Sequence, residues 1–149
     1  MINIIPNFLT DVEFTGLLNS VNRNDLHDVP NAYNTKSYHF GESNIYKKLC
    51  QFGKLAFQET LIYSVGGYSD MHIDGYSYTG GDPWVSTGIL FCNDDYGGGE
   101  LLFPKIGLKF KPKPNTFILF PAGVDSHVYE HGVSTVTCGE RMTTIFRFR

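Results

Sequence analysis

The sequence predicts an α+β fold that is mainly β, and three observations carry that expectation. Alanine, the strongest helix former, occurs only three times, at Ala32, Ala56 and Ala122, against 12 Phe and 9 Tyr; aromatic residues favour strands. Of the 16 glycines, three precede residue 61 and thirteen follow it. The hydrophobic period also changes there, from helical spacing to alternation. A chain of 149 residues fits one domain with a core of its own. The reading is therefore residues 1–60 as helical support and residues 61–149 as the β core, in one domain spanning 1–149.

Each element follows from local chemistry. Thr10 and Glu13 have capping-box spacing, and Phe14, Leu17, Leu18 and Val21 continue at i, i+3, i+4 and i+7, which predicts a short amphipathic helix. Asn24 to Glu42 is polar, carries Pro30, and reads as a loop. Ser43 or Asn44 can cap a second helix whose stripe is Ile45, Leu49, Phe52 and Ala56. Beyond that point Leu61–Val65, Ser69–Asp74, Trp84–Cys92, Glu100–Phe103, Thr116–Phe120, Ser126–Val133 and Met142–Phe148 read as strands. Gly66-Gly67, Gly80-Gly81, Gly97-Gly98-Gly99, Pro112 to Asn115 and Cys138-Gly139 punctuate them. Many short strands at this spacing suggest a sandwich, jelly roll or barrel, with both helices on one face.

Composition narrows the function. The net charge is -3, so a general nucleic-acid coat, which needs a basic surplus, is disfavoured. Cys50, Cys92 and Cys138 make an odd set without a C-x-x-C pair, which speaks for a reducing compartment. Met1 to Val12 lacks the pattern of a signal peptide, and no apolar run approaches the roughly 18 residues needed to span a bilayer. The expectation is a cytoplasmic protein without a membrane partner.

The chemistry-bearing residues are sparse. His72 and Asp74 form H-x-D in an expected strand, where alternation puts both side chains on one face. His131 lies near the end of another. Two histidines and one carboxylate on one face of a metal, with open positions opposite, form the facial triad of non-haem Fe(II) oxygenases; alone, an H-x-D is also an ordinary His–Asp hydrogen bond. His127, four residues before His131, is a rival ligand, while His27 and His39 fall in the polar N-terminal region. Arg141, ten residues after His131, opens an otherwise apolar strand. A buried guanidinium there needs an anion, and a dicarboxylate could meet it with two hydrogen bonds.

Three stretches then carry a resemblance. Tyr63-Ser64-Val65-Gly66-Gly67-Tyr68-Ser69-Asp70-Met71-His72-Ile73-Asp74, Asn93 through Gly97-Gly98-Gly99-Glu100-Leu101-Leu102-Phe103-Pro104, and His131 to Arg141 together resemble the Fe(II)- and 2-oxoglutarate-dependent dioxygenases of the prolyl 4-hydroxylase type. The resemblance implies a double-stranded β-helix, or jelly roll, as the core. It implies His72, Asp74 and His131 as catalytic iron ligands, Arg141 on the distal carboxylate of 2-oxoglutarate, and Tyr63 hydrogen-bonded to the same group. Fe(II), 2-oxoglutarate, O2 and ascorbate are the cofactors it brings, and hydroxylation of a prolyl residue in a peptide or protein, with release of succinate and CO2, is the reaction. The charges of iron, Asp74, 2-oxoglutarate and Arg141 would cancel, as a buried pocket requires.

Departures from the family pattern are Thr135 where proline is common, Arg147 near a position often aromatic, and Arg141 where many collagen-type members have lysine. They leave the ligands intact and bear on the choice of substrate. Two other functions stay open. Arg141 and Arg147 on one strand echo a nucleic-acid dealkylase of the same fold, and a non-catalytic jelly-roll module could hold a metal for structure alone. Tyr76, Tyr78 and Trp84 follow the H-x-D in a Gly-rich stretch that reads either as a lid over substrate or as an ordinary loop. Lys105, Lys109, Lys111 and Lys113 read as a solvated hairpin.

Overall fold

The computed structural model describes the whole chain except residues 31, 42, 44 and 76–82. In order the elements are β1 (Asn3–Ile5), α1 (Asp11–Ser20), β2 (His27–Asp28), β3 (Ala32–His39), α2 (Tyr46–Leu49) running into a 3-10 turn at Cys50–Phe52, and β4 (Leu55–His72). Then come β5 (Ser86–Phe91), β6 (Gly97–Gly98), β7 (Leu101–Phe103), β8 (Leu108–Phe110), β9 (Phe117–Pro121), β10 (His131–Val133), β11 (Val136–Cys138) and β12 (Arg141–Phe148). No helix among the described residues is long and apolar enough to cross a membrane.

The strands form one curled antiparallel sheet in the order β1-β9-β5-β12-β4-β10-β7-β8, with β3 also on β4 and β2 on β3; β11 and β6 make a separate pair. The 18 residues of β4 hold this together. Its first half pairs with β12 from Leu55 to Tyr63, and its end pairs with β10 through Ser69 and His72. One strand thus belongs to both halves of a jelly roll. Gly66 and Gly67, expected to end a strand, lie inside it. Gly66 sits at φ +83 and a side chain on Gly67 would lie 2.7 Å from the Ser64 carbonyl oxygen. The β3 partner shifts register here, between Tyr33 and Thr35, and such a bulge bends a strand instead of breaking it.

Alternation along β12 sorts two cores. Phe146 and Phe148 face outward with Leu90, Phe117, Phe8, Leu9, Ile45, Leu49 and Leu17 of α1, while Ile145 faces inward with Tyr63, Phe91, Leu101, Phe103, Ile118 and Phe120. The helices therefore cover the outer face, and the inner face closes on itself. At the start of α1 the Thr10 hydroxyl accepts from Glu13 N at 3.2 Å and Glu13 accepts from Thr10 N at 2.8 Å, the capping box that the spacing predicts. Lys48 Nζ donates to the same Glu13 at 2.8 Å and ties α2 to α1.

The N-terminal part is less helical than its composition suggests. β2 and β3 occupy the expected loop, and β4 begins at Leu55, so the β core starts before residue 61 and takes in part of residues 1–60. Backbone pairing with β4 overrides the polar character of Ala32–His39, whose exposed face is free to be polar. The second helix ends at Leu49, with its 3-10 extension reaching Phe52, and Ala56 lies in β4. Ser43 Oγ accepts from Ile45 N at 3.3 Å, but Ile45 occupies the N-cap and no side chain caps the helix, so Ser43 is not its cap; Asn44 lies outside the described residues. The strand expected over Ser126–Val133 is a 3-10 turn at His127–Tyr129 followed by β10, and β1, β6, β8 and β11 were not expected.

Candidate metal centre

The antiparallel register of β4 and β10 sets His131 directly opposite His72, and the two rings lie 4.4 Å apart between centroids. Asp74 lies two residues beyond the end of β4, not within a strand as expected. Its backbone carbonyl accepts from Gly123 N at 2.6 Å, which anchors the segment that carries the carboxylate. Asp74 Oδ1 is 3.6 Å from His72 Nε2, Asp74 Oδ2 is 3.6 Å from His131 Nε2, and the three ligand atoms all lie within 4.8 Å of one another.

Each imidazole is oriented by its own backbone. His72 Nδ1 donates to the carbonyl of Asp70 at 2.8 Å, and His131 Nδ1 donates to the carbonyl of Tyr129 at 2.9 Å. A carbonyl oxygen can only accept, so both rings donate from Nδ1, and Nε2 is the nitrogen that each turns towards Asp74. His131 is wedged between Phe103 and Phe120, at 5.3 and 5.0 Å between ring centroids. Burial lowers its pKa to about 4, against the opposing pull of Asp74, so at neutral pH it is an uncharged donor. Burial alone would raise the Asp74 carboxyl; Arg147, His131, His72 and the Thr87 hydroxyl outweigh it and hold the group below the usual carboxylate range. Two imidazole nitrogens and one carboxylate oxygen, converging with half-exposed His72 on the open side, suit a divalent ion that keeps sites for exchangeable ligands.

Asp74 has further partners that the sequence reading gave no role at the carboxylate. Oδ2 accepts from Thr87 Oγ1 at 2.9 Å and from Arg147 Nη1 at 3.0 Å, while Arg147 Nη1 also donates to Thr87 Oγ1 at 3.1 Å. The Trp84 ring covers the guanidinium at 5.1 Å. Oδ2 is thereby occupied, and among the described residues Oδ1 accepts no hydrogen bond and is the oxygen open to a metal. The signal was present in the sequence: Arg147 is an even number of residues from Arg141 and so shares its inward face. Its charge adds one positive unit to the neutral sum expected for the site.

Arg141, the first residue of β12, is 1% exposed. It is paired in register with Tyr63, whose ring lies 4.9 Å from the guanidinium carbon, and Phe91 lies at 5.6 Å. Nε donates to the Gly99 carbonyl at 3.0 Å and Nη1 to Thr143 Oγ1 at 3.2 Å. No carboxylate pairs with it among the described residues. Tyr63 and Phe91 belong to the same apolar cluster as Phe103 and Phe120 beside His131, so one inner core walls both the guanidinium and the histidines.

The other sequence candidates separate from this cluster. His127 lies exposed in its 3-10 turn, out of alternation with His131. His39 Nε2 is 3.1 Å from Ser37 Oγ and 3.4 Å from Glu59, and His27 lies 3.5 Å from Asp25. Lys105, Lys109 and Lys113 pair with Glu130, Glu100 and Asp94, and Lys111 donates to the Tyr96 carbonyl. Of the Gly97-Gly98-Gly99 turn, the first two residues form β6. Tyr76, Tyr78 and the Gly80-Gly81 turn lie outside the described residues.

A curled β core with two histidines and a carboxylate at its mouth is the architecture of non-haem iron oxygenases. The chain belongs to the 2OG-Fe(II) oxygenase superfamily, whose family model matches residues 59–149. Among solved structures, the viral collagen prolyl hydroxylase of Paramecium Bursaria Chlorella virus-1, in its 2-oxoglutarate complex, superposes with a TM-score of 0.78. It is 22% identical, over 98% of this chain and 94% of that one. A prolyl-4-hydroxylase of Pseudomonas putida gives 0.77 at 17% identity, covering 99% and 91%. A Trichoplax adhaerens prolyl hydroxylase bound to a hypoxia-inducible-factor peptide gives 0.67 at 16%, covering 99% and 83%. These likenesses establish the jelly-roll fold. A search of curated proteins finds no significant sequence match.

Proposed function

We propose that the protein is an Fe(II)- and 2-oxoglutarate-dependent dioxygenase that hydroxylates prolyl residues in a peptide or protein. The observation that carries the cosubstrate is Arg141, a fully buried cation with no anion paired to it among the described residues, walled by the same core as the histidines. In this reading His72, Asp74 and His131 hold the iron, and Arg141 with Tyr63 holds the distal carboxylate of 2-oxoglutarate. Iron, when bound, supplies the oxidative chemistry, with O2 as oxidant and succinate and CO2 as by-products.

The protein's own part is geometric and electrostatic. The Asp70 and Tyr129 carbonyls fix the imidazole tautomers. Thr87 and Arg147 hold one oxygen of Asp74, so the carboxylate binds through the other. Phe103 and Phe120 keep water from His131. The choice of a prolyl substrate is supported by prolyl hydroxylases recurring among the fold neighbours. The test is succinate release that requires Fe(II), 2-oxoglutarate and a proline-containing peptide, with a gain of one oxygen in the peptide's mass. Asp74→Ala should abolish it; turnover that survives that change removes Asp74 from the metal. An arm with ascorbate omitted checks that expected accessory, and an alkylated oligonucleotide turned over in place of the peptide would replace the substrate assignment.

A further inference from the structure

Tyr96 lies in the segment between β5 and β6, is 5% exposed, and has a hydroxyl withdrawn from solvent that makes no well-formed hydrogen bond among the described residues, the Arg141 guanidinium lying close enough to act on it. Buried polar groups are nearly always partnered, so an orphan of this kind asks for a ligand. Its surroundings say which one. A Cβ on Gly99, which sits at φ +63, would lie 3.0 Å from both Arg141 Cδ and Tyr96 Cε2. The tyrosine ring and the arginine side chain therefore converge over that one glycine. The ring is also held in place. Lys111 Nζ lies 4.0 Å above its centroid while donating to its backbone carbonyl, and the Gly139 backbone packs against Tyr96 Cα and Cβ. Burial raises the phenol above its usual pKa, with the adjacent Arg141 working against the rise, so at neutral pH the group remains an O–H donor.

Among the described residues, an ordered donor without a well-placed acceptor thus stands beside an ordered cation without a counterion. Arg141 Nε and one N–H of Nη1 are taken by Gly99 and Thr143, and a carboxylate, with about four lone-pair sites, can accept from the remaining guanidinium N–H groups and a hydroxyl together. We propose that Tyr96 Oη is a further donor to the distal carboxylate of 2-oxoglutarate held by Arg141. The inference rests on the reading of Arg141 as the cosubstrate anchor.

The test is calorimetric binding of two keto acids to the full chain loaded with Mn(II). They are 2-oxoglutarate and 2-oxopentanoate, which has the same carbon count but no distal carboxylate. Tyr96→Phe should weaken 2-oxoglutarate about tenfold, the worth of one hydrogen bond to a charged group, and leave 2-oxopentanoate and Mn(II) binding unchanged. Because the hydroxyl makes no well-formed hydrogen bond among the described residues, the ligand-free variant should melt close to the wild type. Unchanged 2-oxoglutarate affinity in Tyr96→Phe, or an equal loss for both keto acids, overturns the proposal. Arg141→Met separates it from its premise: loss of 2-oxoglutarate binding in that variant supports the anchor, whereas full binding overturns the anchor itself and Tyr96 with it.

Discussion

The two ends of β12 carry the same side chain on the same inward face and use it in opposite ways. Arg141 is enclosed by Tyr63 and Phe91 and pairs with no carboxylate among the described residues; Arg147, six residues on, is bonded to Asp74 and Thr87 under Trp84. A buried ion pair is balanced within the fold, and breaking it leaves an uncompensated charge. A buried unpaired cation is a standing debit that only a ligand can settle. One strand thereby shows how the same residue type builds a binding site at one end and a positioning device at the other.

The sharpest test of this contrast is to make the same substitution at both ends. Arg141→Met should reduce 2-oxoglutarate binding at least 100-fold, or about 3 kcal/mol, by calorimetry, while ligand-free stability does not fall. Arg147→Met should do the reverse to stability, lowering it by about 3 kcal/mol in urea unfolding because Asp74 loses its cation. Equal stability losses at both positions would erase the distinction. A comparable effect comes from His131, which burial depresses to about 4, whereas an unfolded histidine titrates near ~6.5. Between those values the unfolded chain binds the extra proton. Stability of the metal-free protein should therefore fall by about 3 kcal/mol as the pH drops through that window, then level off for this group. Asp74, held below its usual range, adds its own loss only at more acid pH. His131→Gln should flatten the slope, and a slope that persists would assign it elsewhere. The smallest effect belongs to an exposed guanidinium, Arg23, paired with Glu140 at 2.7 Å. Arg23→Ala should change stability by less than about 1 kcal/mol, and a larger loss would mean that burial is the wrong variable.

What the sequence discloses depends on whether the signal is local. The capping box at Thr10, the H-x-D and the ten-residue step from His131 to Arg141 are local, and each reappears in the structure as a cap, a clustered donor set and a buried cation. β3 escaped because its strand character comes from pairing with β4, not from its own polar residues. Gly66-Gly67 misled because a bulge and a turn use the same residue type. Thr87 and Arg147 meet Asp74 across two strand pairings, and Tyr96 reaches Arg141 over a turn. No spacing in the chain encodes those meetings, although the even step between the arginines gave Arg147's face.

The carbonyl bonds that orient His72 and His131 each span two residues, within Asp70–His72 and Tyr129–His131. Ring direction is therefore written into two tripeptides, while the convergence of the rings depends on the register of β4 against β10. These are separable properties with separate failure modes. A loosened but still collapsed chain would keep each imidazole pointing correctly along its own segment and yet lose the cluster. On refolding, the last thing recovered would be the distance between ligands and not their tautomer, so strand registration would set the moment at which the chain becomes competent to capture its metal.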